Sequence, residues 1–295
     1  LSELRNRLIH ISRCYGMNRR MIRLLLRYDP TLKDIFHFSS PTLSKFFSIS
    51  IEKANLLHKS LHDEQLYRNT LQEQKNVDII TIVDDGYPPM LKTIKDAPLI
   101  LYMVGDRSLM HQKPVLSIIG TRKPSDEGML KVKHYIKPLV DRNWVIASGM
   151  ARGIDSFAHK LTLAYNGKTI AVLGSGFNKI YPKENISLFK QIIKNGLVIS
   201  EYPPDTPPKP FHFPERNRII SGLSFGTLVI EATEKSGTLI TVDQALDQGR
   251  EVYAVPGSPL TPQTKGCHQM IQDGAKLVLN GEDIIEDWEN VYKKW

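Results

Sequence analysis

Cysteine is almost missing from this chain: Cys14 and Cys267 are the only two in 295 residues. Two thiols so far apart in sequence cannot build a four-cysteine metal centre or a disulfide framework, and they suit a reducing, cytoplasmic setting. Long apolar runs are missing too. No stretch approaches the roughly 18 residues a membrane span requires, so no membrane partner is expected. The N-terminus scatters Arg5, Arg7, Arg13, Arg19, Arg20 and Arg23 among its apolar positions. A secretion signal would instead place a basic segment before an apolar one. There is no Walker lysine motif and no serine or cysteine nucleophile with an evident base. His134, His159, His212 and His268 lack metal-ligand spacing. Neither a metal nor a cofactor is expected.

Positive charge is what the chain has in excess, and it is unevenly spread. The net charge is +8, of which residues 1–75 carry +6 and the remainder only +2. A basic chain invites a nucleic-acid partner. Because the larger part is nearly neutral, any phosphate-binding face there must come from local clustering.

Residues 1–75 read as helical. Leu4, Leu8, Ile11, Met21, Leu24 and Leu25 recur at helical spacing, with a break near Gly16–Asn18 and a stop at Asp29-Pro30. Leu43–Phe47 and Ile51–Leu61, joined by Ser48-Ile49-Ser50, have the outline of a helix-hairpin-helix. The hairpin glycine that would bring backbone amides to a phosphate is missing, which favours a packing or protein-interaction module. Val77–Val83 and Leu99–Val104 are strand candidates.

From residue 114 the pattern becomes regular. Strand-like runs at Val115–Ile119, Trp144–Ala147, Thr169–Leu173, Leu197–Ser200, Thr227–Glu231, Glu251–Val255 and Lys276–Leu279 alternate with helical segments at Ser125–Val140, Ser156–Tyr165, Glu184–Lys194, Asn217–Leu223, Leu239–Gln248 and His268–Gln272. Short β-branched runs without alternation read as strands buried on both faces, and the spacing suits βαβ crossovers. The expected architecture is α/β: a doubly wound, mainly parallel sheet over 76–295, with a small all-helical domain over 1–75.

In such a sheet the loops after the strands meet along one edge, where ligands bind. Here those loops are Gly120-Thr121-Arg122, Ser148–Gly153, Gly174-Ser175-Gly176, Glu201-Tyr202-Pro203 and Ser236-Gly237-Thr238. Gly, Ser and Thr make tight turns, but they also expose amides and hydroxyls to phosphate oxygens. Five such loops on one edge point to an anion site. Asp155 could cap the helix it precedes or bind a ribose hydroxyl. Neither glycine loop has the G-x-G-x-x-G spacing of a dinucleotide site, so ordinary NAD binding is disfavoured. The proline-stiffened loop from Pro203 ends in Phe211-His212-Phe213 beside Arg216-Asn217-Arg218. Phe213 could stack on an unpaired base or bury under the loop. Arg216 and Arg218 could take phosphates or pair with acids such as Glu215 and Glu231. Lys183 opens the helix after the Thr169–Leu173 strand and can reach the same edge. Glu201, Glu231 and Asp243 could be acids in catalysis or structural acceptors.

Together these motifs resemble the DprA/Smf family, the DNA-processing proteins of bacterial transformation. The likeness is carried by G-T-R with Pro124-Ser125, S-G-M-A-R-G-I-D-S-F-A-H from Ser148, Y-P-K-E-N from Tyr181, F-H-F-P-E-R-N-R-I-I-S-G-L from Phe211, S-G-T-L-I-T from Ser236 and G-R-E-V-Y-A-V-P-G from Gly249. It extends to Tyr87-Pro-Pro-Met-Leu and Leu101-Tyr-Met-Val-Gly-Asp106, covering about residues 80–285. The resemblance implies an extended Rossmann-like fold and a sterile-alpha-motif-like helical domain. It implies a non-catalytic protein that binds and protects single-stranded DNA and loads the RecA recombinase onto it. Carried over by position, the DNA site would be Gly120, Thr121, Arg122, Ser148, Gly149, Met150, Ala151, Arg152, Gly153, Lys183, Phe213, Arg216, Asn217 and Arg218. The family's homodimer would use Met270, Ile271 and Leu277. Met150 stands where the family often has glycine, so a narrower pocket is expected. The winged-helix domain of longer members is not expected after Trp295.

The related nucleoside-monophosphate phosphoribohydrolases, the lysine-decarboxylase-like Rossmann group, give the alternative, a nucleotide-processing enzyme. Their P-G-G-x-G-T loop corresponds here to Lys235-Ser236-Gly237-Thr238, which keeps Gly-Thr but lacks the double glycine. A pure protein scaffold would leave the Gly/Ser/Thr edge unexplained.

Overall fold

The computed structural model describes residues 2–292 and divides them into two compact units. The first ends at Tyr87 and takes in Pro98–Ile100; the second comprises Pro88–Ala97 and the chain from Leu101 onward.

The first unit is built from helices Ser2–Arg13, Arg19–Tyr28, Ser40–Phe47, Ile51–Leu61 and Glu64–Asn76, followed by strand β1 (Asp78–Thr81). Side-chain caps begin four of them: Asn18, Ser39, Ser50 and Asp63 each accept from an amide in the first turn, satisfying a donor the helix cannot. Asp29 closes the break after Tyr28 by accepting from the Thr31, Lys33 and Asp34 amides. At the hairpin, Ser48 takes a left-handed backbone (φ 53°) where glycine is the usual occupant. No helix among the described residues is long and apolar enough to cross a membrane.

The second unit holds strands β2 (Ile100–Gly105, from Leu101 onward in this unit), β3 (Val115–Ile119), β4 (Val145–Ser148), β5 (Lys168–Leu173), β6 (Leu197–Ser200), β7 (Gly226–Val229), β8 (Glu251–Ala254) and β9 (Lys276–Leu277). They lie in the order β2-β6-β5-β4-β3-β7-β8-β9. All neighbouring pairs are parallel except β2 with β6. The sheet is doubly wound and mainly parallel, as the βαβ spacing requires.

β3 is central, and every one of its residues is buried. Its alternation assigns Leu116 and Ile118 to one face. There they join Ile146, Leu228 and Ile230 against Val132, Ile136 and Leu139 of helix Gly128–Asp141, Ile154 and Ala158 of helix Ile154–Ala164, and Ile284 and Ile285 of helix Gly281–Tyr292. Ser117 is a polar residue inside the sheet; it is satisfied by the Thr227 hydroxyl at 2.7 Å. From β3 the chain winds outward through β4, β5 and β6, then returns to the other side of β3 for β7, β8 and β9. The reversal lies between β3 and β7, where loops leaving the strand ends part in opposite directions and open a crevice.

Candidate nucleic-acid interface

A cavity of about 550 Å³ occupies that crevice, lined by Gly120–Lys123 after β3, by Phe213, Pro214, Arg216 and Asn217, and by Thr233, Ser236–Thr238 and Thr241 beyond β7. The Gly-Thr-Arg turn is fixed from several directions. A Cβ on Gly120 would come within 2.7 Å of Ile154 and 2.9 Å of the Glu231 carbonyl, so only glycine fits. The Thr121 amide donates to that carbonyl at 2.7 Å, and its hydroxyl accepts from the Lys123 amide. The fully buried Glu231 carboxylate takes the Ser125 amide (2.8 Å), the Ser125 hydroxyl (2.6 Å) and Lys131 Nζ (2.7 Å). Glu231 is therefore a structural acceptor that holds the loop. The arrangement leaves Arg122 and Lys123 exposed at the mouth, without an ion pair among the described residues.

The floor is the buried Arg216, with the buried Asp155 carboxyl group near it. Arg216 is 4 % exposed, its Nη1 donating to the carbonyls of Gly149 and Val172 and its Nε to Asn217. Burial pulls its pKa down to about 10, opposed by the Asp155 carboxylate, so it stays a cation at neutral pH. Burial likewise raises the Asp155 pKa, against the pull of Arg216 and of the Gly149 amide, which donates to it at 3.1 Å. Gly149 is the residue that admits the guanidinium: a Cβ there would fall within 2.6 Å of three of its atoms.

The expected site residues separate into those at the cavity and those that support it. Gly120, Thr121, Arg122, Ala151, Phe213, Arg216 and Asn217 line the cavity. Phe213 is half-buried: its ring lies on Gly174, where a Cβ would approach to 2.9 Å, with Arg122 6.0 Å from the ring centroid. Ser148 is buried and donates to Ile118 O at 2.6 Å, pinning β4 to β3. Gly153 has φ +72°, and a Cβ there would strike Thr121 O at 2.4 Å. Arg152 is ion-paired with Glu184, and Lys183 is exposed on the turn beside it.

Arg218 lies elsewhere. Two positions along the helix from Arg216, it points to another side, binding both Glu201 oxygens (2.8 and 2.9 Å), the Asp96 carbonyl and the Glu215 carbonyl. Met150 is not among the residues that line this cavity; its backbone is left-handed (φ 53°) and it is fully buried. Of the expected dimer residues, Met270 is buried in this chain, Ile271 half-buried and Leu277 44 % exposed on the edge strand β9.

The profile of a family described as DNA recombination-mediator protein A matches residues 78–289. The chain is 40 % identical to the Bacillus subtilis DNA processing protein DprA over 272 residues, covering 90 % of this chain and 89 % of that protein. It is 46 % identical to the Streptococcus pneumoniae DprA over 71 % of this chain and 73 % of that one. The crystal structure of the S. pneumoniae protein superposes with a TM-score of 0.84 at 36 % identity, over 95 % of this chain and 97 % of that one. A Helicobacter pylori DNA processing protein A, studied for its single-stranded DNA binding mode, superposes with a TM-score of 0.65 at 28 % identity, over 73 % and 97 %.

Proposed function

We propose, from the premise that this chain belongs to the DNA recombination-mediator protein A family, DprA/Smf, that it binds single-stranded DNA across the switch-point cavity without acting chemically on it. The observation that carries the reading is the unpaired Arg122–Lys123 step, held beside the Phe213 ring at the mouth of that cavity. Cations take backbone phosphates and an aromatic ring takes an unpaired base, the pairing single-strand grooves use. Arg216 adds a fixed positive charge beneath. The single-stranded DNA binding mode for which the H. pylori relative was studied supports the same partner here.

Two of the three candidate acids are engaged structurally, Glu201 by Arg218 and Glu231 by Ser125 and Lys131, and the third, Asp243, is exposed on helix Thr238–Asp247 outside the cavity lining. In the wider reading the coated strand is passed to a RecA-type recombinase, and the protein works as a homodimer through the surface that includes Ile271 and Leu277. The test is a salt-titrated comparison of single-stranded, duplex and mononucleotide ligands with product analysis. Tight, salt-sensitive single-strand binding with intact products is expected; release of base from a mononucleotide would replace this reading with the phosphoribohydrolase one.

A further inference from the structure

Tyr181 lies outside the cavity lining and packs its ring against Phe213, centroids 5.5 Å apart and planes tilted by 52°. It remains 45 % exposed, and its hydroxyl makes no hydrogen bond among the described residues. Neither a buried body nor a bonded tip explains a tyrosine there. Lys179 and Lys183 stand exposed on either side in the chain, neither in an ion pair, whereas the neighbouring Arg152 and Glu184 neutralise each other.

We propose that the open face of Tyr181 is a second base-binding subsite, taking one unpaired nucleobase beyond the nucleotide at Phe213, with Lys179 or Lys183 on the intervening phosphate. The inference rests on the single-strand reading above. The geometry restricts how the base sits. A base sandwiched between two rings needs contacts of about 3.5 Å on each side, roughly 7 Å between the rings. At 5.5 Å the Tyr181 and Phe213 rings leave no such slot, so the base stacks on the outer face of Tyr181. Stacking makes no use of base edges, so the subsite accepts any base.

The test is an abasic scan: short oligothymidylates, each lacking one base, titrated against the full chain and its Tyr181→Ala, Tyr181→Leu and Tyr181→Trp variants. Tyr181→Ala and Tyr181→Leu should each lose roughly 5- to 150-fold in affinity for the intact strand, while Tyr181→Trp keeps it. Tyr181→Leu still covers Phe213, so its loss separates stacking from packing. At one scanned position the wild-type chain should weaken to the level of Tyr181→Leu, and the variant should weaken no further. Wild-type affinity in a folded Tyr181→Leu, or an equal loss at every abasic position, would overturn the subsite. Arg122→Ala in parallel distinguishes the two levels: if it weakens binding while Tyr181→Leu does not, only the subsite fails. If the unaltered chain does not bind the intact strand, the single-strand reading fails first.

Discussion

Glu231 offers the sharpest perturbation of the loop that presents Arg122. Its carboxylate is fully buried and serves three donors on the Gly120–Lys131 segment: the Ser125 amide, the Ser125 hydroxyl and Lys131 Nζ. Glu231→Gln keeps the shape but removes the charge, and its amide nitrogen must face either the ammonium or the Ser125 donors. Breaking a buried pair by removing one charge costs about 3–5 kcal/mol. Lys131 keeps 16 % of its side chain exposed and retains the exposed Glu127 carboxylate at 3.6 Å, so the lower end, about 3 kcal/mol, applies. Lys131→Met alone should cost a similar amount. The double variant should cost less than the two singles added, because each leaves the other's charge stranded. The assay is equilibrium denaturation followed by tryptophan fluorescence. The chain has no tryptophan before Trp144, so the signal reports the second unit alone. A Glu231→Gln loss below about 1 kcal/mol, or strict additivity, would refute the view that this pair holds the loop.

Two further predictions follow from the same geometry. Arg218→Ala should lower stability by about 3 kcal/mol, since it removes the two-pronged cationic partner of the nearly buried Glu201; a variant as stable as the parent would remove Arg218 from its bracing role. His159 is fully buried, and burial together with the Arg216 cation holds its imidazole near pKa 3. The unfolded chain takes up that proton near pH 6.5 while the folded chain does not, so stability should fall as pH drops from about 6.5 toward 3. In denaturation series across that range, His159→Gln should flatten the slope; an unchanged slope would assign the acid sensitivity elsewhere.

The sheet was legible because its signal is local. Fully apolar β-branched runs mark doubly buried strands, and β3 runs from Val115 to Ile119 as expected. Helix starts were less legible, for identifiable reasons. Ser125, expected to open a helix, is captured by Glu231 from 106 residues away, and the helix begins only at Gly128. The helix expected at Asn217 begins instead at His212, because Pro214 falls in its first turn, where the missing amide costs nothing.

Composition pointed to the sheet edge that carries the cavity but could not sort its arginines. Arg122, Arg216 and Arg218 look alike in sequence, yet one is exposed, one is a buried floor and one is a brace. Only the identity of neighbours remote in sequence, Gly149 for Arg216 and Glu201 for Arg218, separates them. Tyr181 escaped attention because its signal is exposure beside Phe213, a relation between two loops that no spacing encodes.

The central claim, that Arg122 contacts a single-strand phosphate at the switch-point cavity, is tested most directly by the salt dependence of oligothymidylate affinity for the unaltered chain and Arg122→Ala. Arg122 makes no ion pair among the described residues, and its 6.0 Å approach to the Phe213 ring is worth at most about 1 kcal/mol at such an exposed site, so the variant should unfold close to the parent. It should bind about tenfold or more weakly at low salt, with a log–log salt slope shallower by about 0.7, the counterion release of one single-strand phosphate. The same affinity and the same slope in a folded variant would contradict the account.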